Sequence, residues 1–221
     1  MKKFFTPPYP TWQSKESRNR VLRFLEDEAD RFPAGLRLNV GSGLQSFKVR
    51  TINMDLCIGH KVDIGGDLLE LPFGDECVDT IICTGVLEHV TDPQRAMGEI
   101  FRVLKLGGKV YIETPFMQTF HASPKDFYRW TPDGLKRLLT FFEIIELNIV
   151  AGPASALAWQ FQETMAMLFS LNNETLYNIG LRFFGWMAMP LSWFDSILEK
   201  NRWAWHAASG FSIVAEKNQK R

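Results

Sequence analysis

The chain has 221 residues, 25 basic and 25 acidic side chains, and therefore no formal net charge. That balance disfavours bulk binding to nucleic acid or another polyanion, and 46% hydrophobic residues are enough for one large domain with a sizeable core. Three cysteines (Cys57, Cys77 and Cys83) have no metal-ligand spacing, so no metal is expected; Cys57 and Cys83 read as free, buried thiols suited to a reducing cytoplasm.

The opening MKKFFTPPYP breaks at Thr6-Pro7-Pro8, too soon for the apolar core of a signal peptide. Residues 13–32 predict a helix, with Val21, Leu25, Ala29 and Phe32 at helical spacing and Pro33 and Gly35 closing it. An alternation follows. Leu36–Val40 and Thr51–Asp55 are predicted strands, and the apolar run Val78–Cys83 is a buried third. Asp92–Leu104 predicts a helix with Asp92 as N-cap, Pro93 first, and Gly107-Gly108 as the stop. Lys109–Thr114 is a strand, Thr131-Pro132 starts a helix through Leu139, and Phe142–Val150 is a strand. Strand and helix alternating in this way give an α/β fold, a parallel sheet with helices on both faces.

Residues 151–205 differ: they hold five of the seven tryptophans but only seven charged residues, and predict helices near 157–170, 174–189 and 191–203. Gly210–Glu216 then returns as a strand, so the aromatic stretch is a helical insertion before the last strand. The densest apolar run, residues 183–194, contains Pro190 and falls short of the roughly 18 residues of a membrane span. The insertion reads as a lid over an acceptor pocket, as a homodimer surface, or as a patch lying on the inner face of a membrane. The expected layout is one domain: an N-terminal helical extension (1–35), a cofactor-binding core (36–150), the insertion (151–205) and a last strand and tail (206–221).

In open α/β sheets ligands bind beyond the carboxyl ends of the strands. Gly41-Ser42-Gly43 follows the first strand, where glycine allows positive φ and close approach of a ligand. Asp55 ends the second strand with a carboxylate able to accept two hydrogen bonds from a ribose diol. A nicotinamide dinucleotide is the first rival, but position 46 is Ser46 rather than a third glycine, and Asp55 lies only 14 residues past Gly41. The short crossover leaves no full helix to carry a diphosphate and favours an uncharged nucleoside.

The stretches LNVGSG, MDL, GDLLELPFGDECVDTIICTGVLEHV and DPQRAMGEIFRVLKLGGKVYIETPF, taken in order, resemble class I S-adenosylmethionine-dependent methyltransferases of the type 11 group over residues 36–150, with 210–216 completing the match. The resemblance implies a Rossmann-like sheet of seven strands with the last antiparallel, and S-adenosyl-L-methionine as cofactor. It implies Gly41, Ser42 and Gly43 near the methionine part, Asp55 on the ribose, Leu56 against the adenine, Asp67 on the adenine amine with Leu68 beside it, and Thr84 near the methionine end.

Acceptor chemistry is sought on the loops past the strands. Glu88-His89 follows VDTIIC, and His121, Asp126, Tyr128 and Arg129 crowd into HASPKDFYRW. His121 is the candidate general base and His89 a second catalytic candidate; Glu88, Asp126, Tyr128 and Arg129 are candidate substrate contacts. An Asp126–Arg129 pair that only fixes the loop, and a locally bonded His89, are the structural alternatives. The pattern H-x-x-P-x-D-F-x-R-W-T, with Gly152-Pro153-Ala154-Ser155 and Ala208-Ser209-Gly210-Phe211, is similar to a bacterial methyltransferase subgroup linked to glycan assembly, which implies O-methylation of a small molecule or glycan hydroxyl. Transfer to nitrogen or carbon of another metabolite, and a non-catalytic partner protein of the same fold, remain alternatives; a nucleic-acid acceptor is disfavoured by the neutral charge.

Overall fold

The computed structural model describes residues 15–122 and 124–218. Its elements run α1 (Lys15–Arg31), β1 (Arg37–Val40), β2 (Ile52–Asp55), β3 (Ile64–Gly65), β4 (Val78–Thr84), α2 (Pro93–Val103), β5 (Leu104–Pro115), α3 (Pro132–Leu138) and β6 (Glu143–Ala151). Then come α4 (Pro153–Phe169), α5 (Glu174–Ala188), a 3-10 turn at Met189–Phe194, α6 (Asp195–Leu198), a 3-10 turn at Ala204–His206, and β7 (Gly210–Glu216). Residues 13 and 14 of the expected first helix lie outside the described residues.

The seven strands form one sheet in the order β3-β2-β1-β4-β5-β7-β6. Strands β1 to β5 pair in parallel. Strand β7 runs the other way: the Lys217 N–H near its end donates to the carbonyl of Gly108 near the start of β5, at 2.9 Å. Side-chain alternation sorts the core into two layers. On one face Ile81, Cys83, Val110, Ile112, Ile213 and Ala215 pack with Ala96, Met97 and Ile100 of α2 and Leu138 of α3. On the other face Ile82, Tyr111 and Val214, the intervening residues, pack with Val21 and Leu25 of α1.

By chain contacts the molecule divides into two compact units: residues 18–115, 121–148 and 211–218 form the sheet unit, and residues 116–120 and 149–210, with the first turn of α1, form the other. Within the second unit, α4 and α5 pack closely because Gly180 lies against Ala166 and Gly185 against Gln162; a Cβ on Gly185 would come 2.7 Å from the Gln162 side chain. Among the described residues no helix is long and apolar enough to cross a membrane.

Several expectations change. The third face position of α1 is not Ala29 but Glu28, which is buried and accepts from Lys109 Nζ at 2.7 Å. Strand β5 starts at Leu104 rather than Lys109, because a bulge with Gly107 at φ 75° lets the chain leave α2 directly into the sheet. Helix α4 starts at Pro153, four residues early, with proline in the first turn where it lacks no bond. The helix expected at 191–203 breaks into the 3-10 turn and the four residues of α6. Cys57 is exposed; Cys83 is buried, and burial pushes its thiol pKa up.

Candidate functional site

The register places the strand ends level. Val40 pairs with Met54 on one side and Cys83 on the other, so the next residues, Gly41, Asp55 and Thr84, emerge at one height where the strand order reverses. Gly41 takes φ 64° and Gly43 φ 51°. Both conformations favour glycine, and at Gly41 a Cβ would also meet Val86 Cγ2 at 2.3 Å. Nothing lies within 4 Å of a Cβ built on Gly43, so that side of the turn is open.

Asp55 clasps the turn. Its Oδ2 accepts from the Gly43 N–H at 2.8 Å and its Oδ1 from the Cys57 N–H at 2.9 Å. A carboxylate offers about four lone-pair directions, so roughly two remain for a ligand. Leu56 beside it is 67% exposed and Leu44 and Ile58 are exposed too, an apolar rim of the kind an aromatic base covers. The Ser42 hydroxyl is buried with no hydrogen-bond partner among the described residues, and Thr84 Oγ1 donates to Gln45 Oε1 at 3.1 Å. Gln45 was not foreseen, since nothing in the sequence marks a loop glutamine as a partner for Thr84. Asp67 is exposed, and its Oδ1 accepts from the Leu69 N–H at 2.9 Å. Leu68 is buried in the core, so its side chain is not part of the open surface beside Asp67. An open glycine turn, an orphaned buried hydroxyl and a carboxylate with spare lone pairs fit a nucleoside joined to an amino-acid part.

The two acceptor clusters converge. The Phe127 N–H donates to the Glu88 carbonyl at 2.7 Å, and His89 Nδ1 bonds the Lys125 carbonyl at 2.5 Å. These contacts hold the 121–130 loop against the end of β4. Glu88 Oε1 then lies 3.8 Å from His89 Nε2 and 3.7 Å from His121 Nε2. The Glu88 side chain is 2% exposed, so it is no surface contact for a substrate; His121, 31% exposed, is the open member. Tyr128 turns away from this group, its hydroxyl donating to the Thr91 carbonyl at 3.1 Å and its ring stacking on Trp130.

Asp126 and Arg129 form the loop's fixed point. Arg129 Nη1 and Nη2 donate to Asp126 Oδ1 and Oδ2 at 2.5 and 2.6 Å, and the His121 N–H donates to Oδ2 at 2.8 Å. The guanidinium, with help from that N–H, holds the Asp126 carboxyl down to about 2, against the upward pull of burial. A carboxyl depressed below its unfolded value of about 3.9 adds stability above that pH and loses it as pH falls through about 2. Asp126→Asn is therefore expected to cost about 2 kcal/mol at pH 7, with the gap shrinking from about pH 4 and wild type and variant converging below about pH 2. Urea unfolding at several pH values checks this; a gap that does not narrow in acid would remove the assignment.

Residues 48–112 match the family described as a methyltransferase domain. Over 60 residues the chain is 43% identical to 2-methyl-6-phytyl-1,4-hydroquinone methyltransferase of Spinacia oleracea, covering 27% of this chain and 17% of that protein. It is 40% identical over 67 residues to a tRNA U34 carboxymethyltransferase of Campylobacter fetus, covering 29% of this chain and 24% of that protein. The chain thus spans less than a quarter of the length of these curated relatives. Its fold matches phosphoethanolamine N-methyltransferase 2 of Haemonchus contortus, solved with S-adenosyl-L-methionine, at a TM-score of 0.52 and 18% identity, over 89% of this chain and 53% of that one. The domain match supports the methyltransferase class, and the solved structure shares the fold.

Proposed function

We propose that the chain transfers a methyl group from S-adenosylmethionine to a hydroxyl of a small molecule or glycan. The observation that carries this is the level placement of Gly41, Asp55 and Thr84, with Asp55 clasping the glycine turn, one loop away from a histidine–carboxylate group. When bound, the cofactor supplies a methyl carbon whose bond to the sulfonium sulfur breaks, leaving its electron pair on sulfur, as the acceptor oxygen bonds to carbon. The residues do the rest. Gly41, Ser42 and Gly43 leave the backbone bare toward the methionine part. Asp55 accepts from the ribose hydroxyls, Leu56 covers the adenine, and Asp67 accepts from its amine. Thr84 borders the methionine end. His121, the exposed imidazole, takes the acceptor's proton, and Asp126 with Arg129 fixes the backbone that carries it. A positioned base is typically worth about 10²–10⁴-fold.

A second reading, transfer to a ring carbon or to nitrogen, draws on the relatives, whose names include a hydroquinone methyltransferase and a tRNA carboxymethyltransferase. The test is calorimetric titration with S-adenosylmethionine and S-adenosylhomocysteine, then a methyl-transfer screen that starts with sugars. Saturable binding of both is expected, with His121→Ala binding normally and losing at least about 100-fold in turnover on an oxygen acceptor. Full turnover in that variant would remove the base, and no binding to folded protein would remove the proposal.

A further inference from the structure

We propose that Glu88, His89 and His121 bind a divalent transition-metal ion of the zinc type. Its use in catalysis rests on the methyltransferase reading; its binding does not. One ligand atom from each of the three side chains lies within 4.8 Å of the other two. The separations of 3.8 and 3.7 Å from Glu88 Oε1 to the two Nε2 atoms are too long for hydrogen bonds. They are close to what a shared ion needs. Metal–nitrogen and metal–oxygen bonds of about 2.0–2.2 Å in tetrahedral geometry set ligand atoms about 3.3–3.6 Å apart.

The protonation of His89 points the same way. His89 Nδ1 faces the Lys125 carbonyl, which only accepts, so Nδ1 carries the proton. In the neutral ring Nε2 then presents a lone pair, and it faces a carboxylate. Two lone-pair donors aimed at one space are reconciled by a cation between them. Glu88 adds a second, independent sign: its other oxygen, Oε2, is buried and has no hydrogen-bond partner among the described residues. A carboxylate this buried and half unpartnered is costly without a nearby positive charge. His89 also has an outer partner of the kind that orients a metal ligand. His89 is fixed by the Lys125 carbonyl. His121 Nδ1 accepts from Arg129 Nη2 at 3.4 Å, which puts the proton of the neutral ring on Nε2, so an ion bound at Nε2 displaces that proton. Arg129 is the nearby charge that opposes an ion, and its bidentate bond to Asp126 offsets it.

Two imidazoles and one carboxylate favour zinc, cobalt or iron over magnesium and calcium, which prefer oxygen alone. With three protein ligands a fourth position remains open on the exposed His121 side. An acceptor hydroxyl bound there ionises at lower pH, its proton passing to water and its electron pair staying on oxygen. The ion thereby takes over the proton-accepting role of a metal-less His121.

The test uses the full chain stripped of metal, titrated with ZnCl₂ by calorimetry and with CoCl₂ by visible absorption. One ion per chain is expected, with the intense d–d bands of a low-coordinate cobalt site. A His89→Ala, His121→Ala double variant is expected to bind at least about 100-fold more weakly. Its folding is checked by S-adenosylmethionine binding, and Glu88→Gln provides an independent loss. No saturable binding to wild type, or equal binding by the double variant, would overturn the site. Metal binding without cofactor binding would keep the site and sink the methyltransferase reading, and the reverse result would do the opposite.

Discussion

Asp55→Ala is expected to weaken S-adenosylmethionine binding by about 10²–10⁴-fold. Hydrogen bonds to a charged group are worth about 1.5–3 kcal/mol each, and the ribose diol provides two. The substitution also releases the Gly43 and Cys57 N–H groups, so the glycine turn loses its clasp as well as its ligand. Asp55→Asn separates the effects. Its amide oxygen keeps one acceptor for the turn, while the charge that favours a diol is gone. Calorimetry on the three proteins checks this, with hydrogen exchange at Gly43 reporting the turn. An alanine variant that binds within about fivefold of wild type would mean that Asp55 serves the turn alone.

The second large effect is structural. Asp195 is buried in the second unit, and its two oxygens accept from the Ala154 and Ser155 N–H groups at 2.8 and 3.0 Å. These are orphan donors at the start of α4, whose N-cap is Gly152 and brings no side-chain cap of its own. Gly152 is bare for the same reason, since a Cβ there would lie 2.4 Å from Asp195 Oδ1. Asp195→Ala leaves two buried N–H groups unmet at the positive end of a helix and is expected to cost about 2–4 kcal/mol. Faster amide exchange across the first turn of α4, with a lower denaturation midpoint, is the expected observation. A loss under about 1 kcal/mol would show that water replaces the carboxylate.

The contrast between these two aspartates explains what the sequence could convey. Asp55 follows a strand and precedes a turn, and its partners lie within twelve residues, so local pattern was enough to single it out. Asp195 works across forty-one residues, and the sequence places it within an expected helix. Its capping position is where the chain leaves a 3-10 turn, so the helix expected at 191–203 is broken there. Glu28 was missed for a similar reason: a charged residue on a helix reads as solvated until Lys109, eighty-one residues on, arrives beside it. Strand β3 is two residues long and too short to show any alternation. The sheet strands with long apolar runs were legible, β7 over the range Gly210–Glu216. At the site, His89 and His121 were each picked out on their own loops. Their meeting over Glu88 was not visible, because it depends on the Phe127–Glu88 and His89–Lys125 bonds between two loops far apart in sequence.

The departure and return of the helical segment have a further consequence. Ala151, where β6 ends, accepts from the N–H of Ser209, just before β7 begins, at 2.8 Å. Residues 152–208 lie between the two partners of this bond, like the loop of a very long hairpin. Closing such a loop costs only about 0.6 kcal/mol more for each doubling of its length. The segment is thus free to lengthen, shorten or change its surface in descent without shifting the register of β6 and β7. The sheet that carries Gly41, Asp55 and Thr84 and the helices that carry most of the tryptophans are then open to selection at different rates.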